Sequence, residues 1–244
     1  SSIDPLLAVK KLNANREIEW AEPKYVRSPG YTPDDPSFTS QYALTKIQAE
    51  NAWDISTGDS SIIIAIIDTG VDWDHPDLSS NIWVNSGEIE NNGLDDDNNG
   101  YIDDKHGWDF GGLDGTPDNN PVEDRADHGT HVAGTIGARK NEQGVVGVAP
   151  ECRLLIGKVL GDDGSGTDDS VAEGIAWAVD EDAQVISMSL GSAYPSQAIY
   201  RAIRGALEQK RFVICAAGND GRPNSVNYPA RWEETVAVGA VNKE

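Results

Sequence analysis

The run SIIIAII, residues 61–67, decides the fold, because Ile62–Ile67 is the longest strongly apolar stretch in the chain. A short, unbroken, β-branched run that stops at Asp68-Thr69-Gly70 has the pattern of a strand buried on both faces, as in the middle of a parallel sheet. Outward from it, helical and apolar segments alternate. VAGTIGARK (132–140) reads as helix and CRLLIGKVL (152–160) as strand. DSVAEGIAWAVDE (169–181) reads as a helix with Asp169 or Ser170 near its cap. Strand QVISMSL (184–190), helix SQAIYRAIRGALEQK (196–210), strand FVICAA (212–217) and strand TVAVGAV (235–241) follow. This order predicts an α/β fold, a doubly wound and mainly parallel sheet with helices on both faces. Such sheets carry their sites at the carboxyl ends of the strands.

The N-terminal region has a different texture. A short helix is expected at Pro5–Asn13, followed by an extended EIEWAEPKYV. SPGYTPDDPSFTS (28–40), with three prolines and no apolar period, reads as a linker or surface arm. No internal repeat, low-complexity tail, membrane-length apolar segment or leader pattern is visible. The net charge of −22 argues against nucleic acid and anionic membranes as partners, since both are polyanions. Between Asp95 and Asp127 eleven acidic residues face only Lys105 and Arg125. Either this is a solvated acidic face or divalent cations neutralise part of it. Cys152 and Cys215 make no disulfide framework; they are either one bridge or two buried thiols.

Three polar residues fall at element boundaries where the sheet would gather them. Asp68 ends the first strand, His128 in DHGTHVAG (127–134) opens the next helix, and Asn219 follows the strand FVICAA. The histidines of HGTH, His128 and His131, admit two readings. An i, i+3 pair can share a metal, but no HExxH pattern or cysteine cluster completes a zinc site. Alternatively, His128 moves a proton. DDDNNGYIDD (95–104) carries a cation-loop spacing. Asp95, Asp97 and Asn99 stand at positions 1, 3 and 5, Gly100 at the turn, the Tyr101 carbonyl at 7 and Asp103 at 9. His106 occupies position 12, where a bidentate Glu is expected.

IIDTGVDWDHPDL, DHGTHVAGTIGA, VISMSLG and AAGND together resemble the motifs of the subtilisin-like serine proteases, in the family's order. YTPDDPSFTSQY and WDFGGLDGTPD are most similar to its thermitase-type members. The resemblance implies a serine endopeptidase in which His128 is the general base, Asp68 orients it, and Asn219 donates to the oxyanion. His131 is then a structural neighbour expected to pack inside, and His75 and His106 are structural or exposed. Gly164, Ser165 and Gly166, with Ser189, Leu190 and Gly191, would sandwich an extended peptide by strand addition, and Ala216 and Gly218 would line the pocket before the scissile bond. Glycine suits a wall that a substrate backbone approaches closely.

Two further Ca²⁺ sites follow from the same resemblance. One uses Asp35, Asp77, the Asn141 side chain and the carbonyls of Arg139, Gln143 and Val145. The other uses Asp109, Asp114, Asp118 and the Thr116 carbonyl, with Gly112 where an acidic residue is expected. Residues 1–27 resemble the C-terminal tail of an inhibitory propeptide, with cleavage between about Val26 and Tyr31. Residues 28–244 correspond to the N-terminal portion of the catalytic domain. No GTSMA-type nucleophile segment is present, and the only serine after Asn219, Ser225, has the wrong context. The resemblance thus implies a secreted, monomeric protease acting on peptides or proteins and inhibited by its own propeptide, with the 244 residues alone inactive. The rival readings are a truncated pseudoprotease that binds peptides and a zinc enzyme built on His128 and His131.

Overall fold

The computed structural model describes residues 4–23, 31–113, 115–123, 125 and 127–243. The expected cleavage stretch before Tyr31, with the 27/28 boundary, lies outside the described residues, as does Asp114. Among the described residues, six parallel strands form one sheet: β1 (Ile63–Asp68), β2 (Trp108–Asp109), β3 (Arg153–Lys158), β4 (Val185–Met188), β5 (Phe212–Ala216) and β6 (Val236–Val238). Their spatial order is β2-β3-β1-β4-β5-β6. After β1 the chain crosses to β3 on one side, then returns to β4 on the other. The order therefore reverses at β1, and a crevice opens at the carboxyl end of this strand.

Alternation along β1 explains why helices cover both faces. Ala65 and Ile67 point into a core shared with α5 (Asp168–Asp180) and α6 (Gln197–Glu208), through Val171, Ile175, Ala178, Ile199 and Ile203. Ile64 and Ile66 point the other way, into a second core with Leu154, Ile156 and Ala133 of α4 (His128–Gly137). An unbroken apolar run is what a strand with two buried faces requires.

The structure differs from the sequence reading at several element ends. Thr167 caps α5: its Oγ1 accepts from Ser170 N (3.0 Å), and the Ser170 hydroxyl accepts from Thr167 N (3.1 Å). The cap thus falls before Asp169, with Ser170 as the reciprocating residue of a capping box. Thr167→Ala is expected to cost about 1 kcal/mol, read as a lowered thermal midpoint. The short edge strand β2 sits inside the acidic stretch, where length and composition hide it.

The proline-rich arm is docked rather than loose. Its 3₁₀ turn Phe38–Ser40 leads into α2 (Tyr42–Lys46) and α3 (Ala49–Trp53). Leu44, Ala49, Trp53 and Val146 make a small third core against Tyr31 and Phe38. The Trp53 indole donates to Val148 O (2.8 Å), and Gln41 pairs with both backbone groups of Val146. α1 (Pro5–Asn13) forms where Asp4 and Pro5 predict it, with the Asp4 carboxylate accepting from Leu6 N. Cys152 and Cys215 are free and buried, and burial pushes the Cys215 thiol up to about 12 against a bond from Thr235. No described helix is long and apolar enough to cross a membrane.

Candidate active site and cation sites

Asp68 ends β1 at the reversal point, and its side chain is buried (1% exposed). Its Oδ1 accepts from His128 Nδ1 at 2.5 Å, from Thr69 N at 2.8 Å and from the Thr69 hydroxyl at 3.2 Å. Oδ2 is buried without a partner among the described residues. Burial pushes the Asp68 carboxyl above the usual carboxylate range, against the lowering effect of the His128 and Thr69 bonds. His128 is half exposed at the first position of α4, so one ring edge faces the carboxylate while the ring reaches the crevice. Gly129 permits this approach, because a Cβ there would stand 2.0 Å from the Gly70 carbonyl oxygen.

The backbone of Asp68 has a second task. Its carbonyl accepts from both Val159 N (2.9 Å) and Leu160 N (3.1 Å), where β3 leaves the sheet toward Gly164–Gly166. Lys158 adds a tie, donating to Thr69 O (2.8 Å) and Asp162 (3.3 Å).

A cleft of about 560 Å³ opens beside His128. Gly164, Ser165 and Gly166 line it, as do Ser189, Leu190 and Gly191, and the two segments are called its walls. Leu160, Val171, Ile199, Tyr228 and Trp232 give it an apolar lining. Ala216, Gly218 and Asn219 are not among the lining residues; Ala216 ends β5, the neighbour of β4, and Gly218 and Asn219 come just after it. His131 is exposed on α4 rather than packed inside, since the helix turns Ala133 and Gly137 toward the sheet and residue 131 away from it. Among the described residues no third ligand converges on His128 and His131. His75 accepts from Asp77 N, and His106 stacks on Trp73 with centroids 4.2 Å apart, both structural roles.

The sequence profile of the Subtilase family matches residues 59–244, well over half of the chain. The chain belongs to the subtilase family. This subtilase is 39% identical to thermitase of Thermoactinomyces vulgaris over 215 residues, 87% of this chain and 67% of thermitase. It is 38% identical to halolysin of Haloferax mediterranei over 237 residues, 97% of this chain and 41% of halolysin. With subtilisin E of Bacillus subtilis it shares 34% over 239 residues, 96% of this chain and 54% of that protein. The chain thus spans between about two fifths and two thirds of the length of these relatives.

Three acidic sites of this subtilase differ in how they are built. At the first, Asp35 and Asp77 are both buried (4% exposed each). Asp35 accepts from Asn141 N (3.0 Å) and Asp77 from Val145 N (2.9 Å). The other oxygen of each, Asp35 Oδ2 and Asp77 Oδ1, is buried without a partner among the described residues. Two orphaned carboxylate oxygens, enclosed by the turn that carries Arg139, Asn141, Gln143 and Val145, fit a hard cation. The Asn141 side chain spans the turn, accepting from Gln143 N and donating to Pro76 O.

At the second, Glu88 joins Asp95 and Asp97 in one cluster whose oxygens lie within 4.8 Å of one another. Asp103 is turned away: its two oxygens accept from Asn92 N and Gly93 N. Asn99 donates to Asp104 (3.0 Å) and Glu181 (2.9 Å), and its own Oδ1 accepts from Tyr101 N. The loop spacing from Asp95 is therefore closed by Glu88, ahead of it in sequence, rather than by Asp103. At the third, Asp109 and Asp118 face each other across an antiparallel bridge, and Thr116 lies between them in sequence. Their carboxylates accept from Gly111 N and Asn120 N.

Sequence reasoning missed Glu88, Thr69 and Glu123, all of which are buried and hydrogen-bonded around these sites. It also missed the apolar lining of the cleft. Glu88 and Glu123 stand in no recognisable spacing, and only tertiary structure brings them in. The acid five residues before His128 was the one available signal for Glu123.

Proposed function

We propose that the chain is the N-terminal portion of the catalytic domain of a secreted, calcium-stabilised serine endopeptidase of the subtilisin type, preceded in residues 1–27 by the tail of its inhibitory propeptide. The observation that carries this reading is the 2.5 Å contact between Asp68 Oδ1 and His128 Nδ1 at the mouth of a peptide-sized cleft. An ionised Asp68 only accepts, so Nδ1 carries a proton and Nε2 is left with its lone pair free. Nε2 then takes the proton of a serine hydroxyl as the hydroxyl attacks the scissile carbonyl, and later returns it to the leaving amine. Asp68 stabilises the imidazolium between these steps. Asn219 donates its amide to the oxyanion, and Ala216 and Gly218 border the residue before the scissile bond.

An extended peptide would lie between Gly164–Gly166 and Ser189–Gly191, its backbone bonded to both walls. The substrates are peptides and proteins; neither nucleic acid nor an anionic membrane suits a chain of net charge −22. We further propose that the protease works as a monomer. Calcium would be held by Asp35, Asp77 and Asn141 with the carbonyls of Arg139, Gln143 and Val145. A second ion would be held by Asp95, Asp97 and Glu88 with Asn99 and the Tyr101 carbonyl. A third, shallower site would use Asp109, Asp118, Asp114 and the Thr116 carbonyl. When bound, these ions supply stability; the residues above pin the arm and the acidic loop to the body.

No serine of the chain stands in a GTSMA-type segment, and the Ser225 hydroxyl donates to Arg222 O. The 244 residues alone are therefore expected to bind an extended peptide without cleaving it. The coding sequence beyond the Glu244 codon tests the assignment. A GTSMA-type segment there supports the protease; a stop codon at that point turns the assignment to a peptide-binding pseudoprotease.

A further inference from the structure

Helix α4 begins with a defect that the rest of the structure repairs. Its cap residue, Asp127, is held in the left-handed region (φ 52°), and its side chain makes no capping bond. The amides of His128, Gly129 and Thr130 would stand as orphaned donors. Glu123 takes all three: Oε1 accepts from His128 N (2.7 Å) and Gly129 N (3.0 Å), and Oε2 from Thr130 N (3.0 Å). The same Oε1 contacts the hydroxyl of Thr69, the residue next to Asp68. The Thr69 hydroxyl in turn accepts from Gly129 N (3.0 Å) and touches Asp68 Oδ1.

We propose that Glu123 is a positioning residue: one buried carboxylate joins the turn that carries His128 to the strand end that carries Asp68, and so sets the imidazole against its acid. Three features distinguish this from simple helix capping. The bonds reach the backbone of the proton-transfer residue itself. They also reach the neighbour of its orienting acid. Glu123 is a buried residue, 9% exposed, so water does not readily replace its carboxylate. Burial pushes Glu123 upward, but the bonds from Thr69, Thr130 and Gly129 outweigh it and hold the carboxyl below the usual range, ionised where the positive end of α4 favours a charge.

The relevance to catalysis rests on the protease reading; the positioning itself does not, so the test needs no turnover. In the 244-residue chain, ¹⁵N shifts of the two His128 ring nitrogens report which of them carries the proton. Hydrogen exchange reports the amides of residues 128–130. Glu123→Gln keeps the shape but loses the charge and one acceptor. Thr167→Ala serves as a control that weakens the fold at the cap of a different helix, α5.

The expected result for Glu123→Gln is loss of Nδ1–H population at His128. Gly129 and Thr130 exchange is expected to quicken by about tenfold or more, as for a lost bond to a charged acceptor. Thr167→Ala should change neither, and Glu123→Asp should restore part of both. Unchanged His128 shifts in a folded Glu123→Gln chain would overturn the proposal and leave Glu123 as a cap alone. A chain that folds with neither Gln nor Asp at 123 would also overturn it, making Glu123 a folding residue. If the serine-bearing protein proves inactive on every peptide while the ring shifts respond as expected, the protease reading fails and the positioning role stands.

Discussion

Asp68→Asn, in the serine-bearing form of the enzyme, is expected to lower kcat by about 10⁴ with little change in KM, as the same change does in other Ser-His-Asp triads. The reason lies in the hydrogen bond to His128. A carboxylate oxygen only accepts, so it fixes the proton on Nδ1; an amide can turn its NH₂ toward the ring and hold the other tautomer. Nε2 would then carry the proton and could not act as a base. Asp68 is not among the residues that line the cleft, so peptide binding is expected to survive. A kcat within tenfold of the parent would sink the triad assignment.

The same substitution should stabilise the fold, and the sign follows from the raised carboxyl. A group whose folded pKa lies above its unfolded value binds its proton more tightly when folded. Folding is therefore opposed wherever the unfolded chain has already released that proton, above the ordinary carboxylate range. At neutral pH, Asp68 costs stability, and an uncharged Asn removes the cost. The thermal midpoint of Asp68→Asn should exceed the parent's at pH 7. That advantage should shrink as pH falls toward the carboxylate range, where the parent's Asp68 is protonated too.

Removal of calcium is the second large effect. Saturation at one hundred times the dissociation constant adds about 2.7 kcal/mol per site. For a domain of this size each kcal/mol moves the midpoint by about 2–4 °C, so excess chelator should lower it by roughly 5–11 °C for one site. The site at Asp35 and Asp77 should dominate, because of the three acidic sites it is the one whose buried carboxylate oxygens lack partners among the described residues. Asp77→Asn removes one charge and the demand for a cation together. Its melt should hardly respond to chelator. In chelator alone it should lie at or above the parent, because two buried carboxylates no longer repel. A parent melt unmoved by chelator would refute the calcium proposal.

Much of this architecture is legible in the sequence because single strong patterns encode it. Ile62–Ile67 announces a two-faced strand, and Asp68, His128 and the two glycine-rich walls occur at element ends in recognisable motifs. What stays hidden depends on side chains that travel. Glu88 closes a loop whose spacing is set by Asp95 and Asp97 but whose other end looks open, with His106 at the twelfth position instead stacked on Trp73. Glu123 completes a helix start that local residues leave bare. The cap of α5 is missed by two residues because Asp169 and Ser170 are as plausible as Thr167 until the reciprocal bond is seen. The inside position expected for His131 fails by one helical face.

The two walls of the cleft are not equally free to evolve. One hangs from the carbonyl of Asp68 through Val159 and Leu160, so drift in that wall pulls directly on the acid beneath His128. The other, Ser189–Gly191, leaves β4 and is joined to Tyr228 through a bridge at Ser192. A lineage or a designer seeking new side-chain preferences would find the second wall forgiving, whereas each change in the first would retune the proton-transfer pair as well.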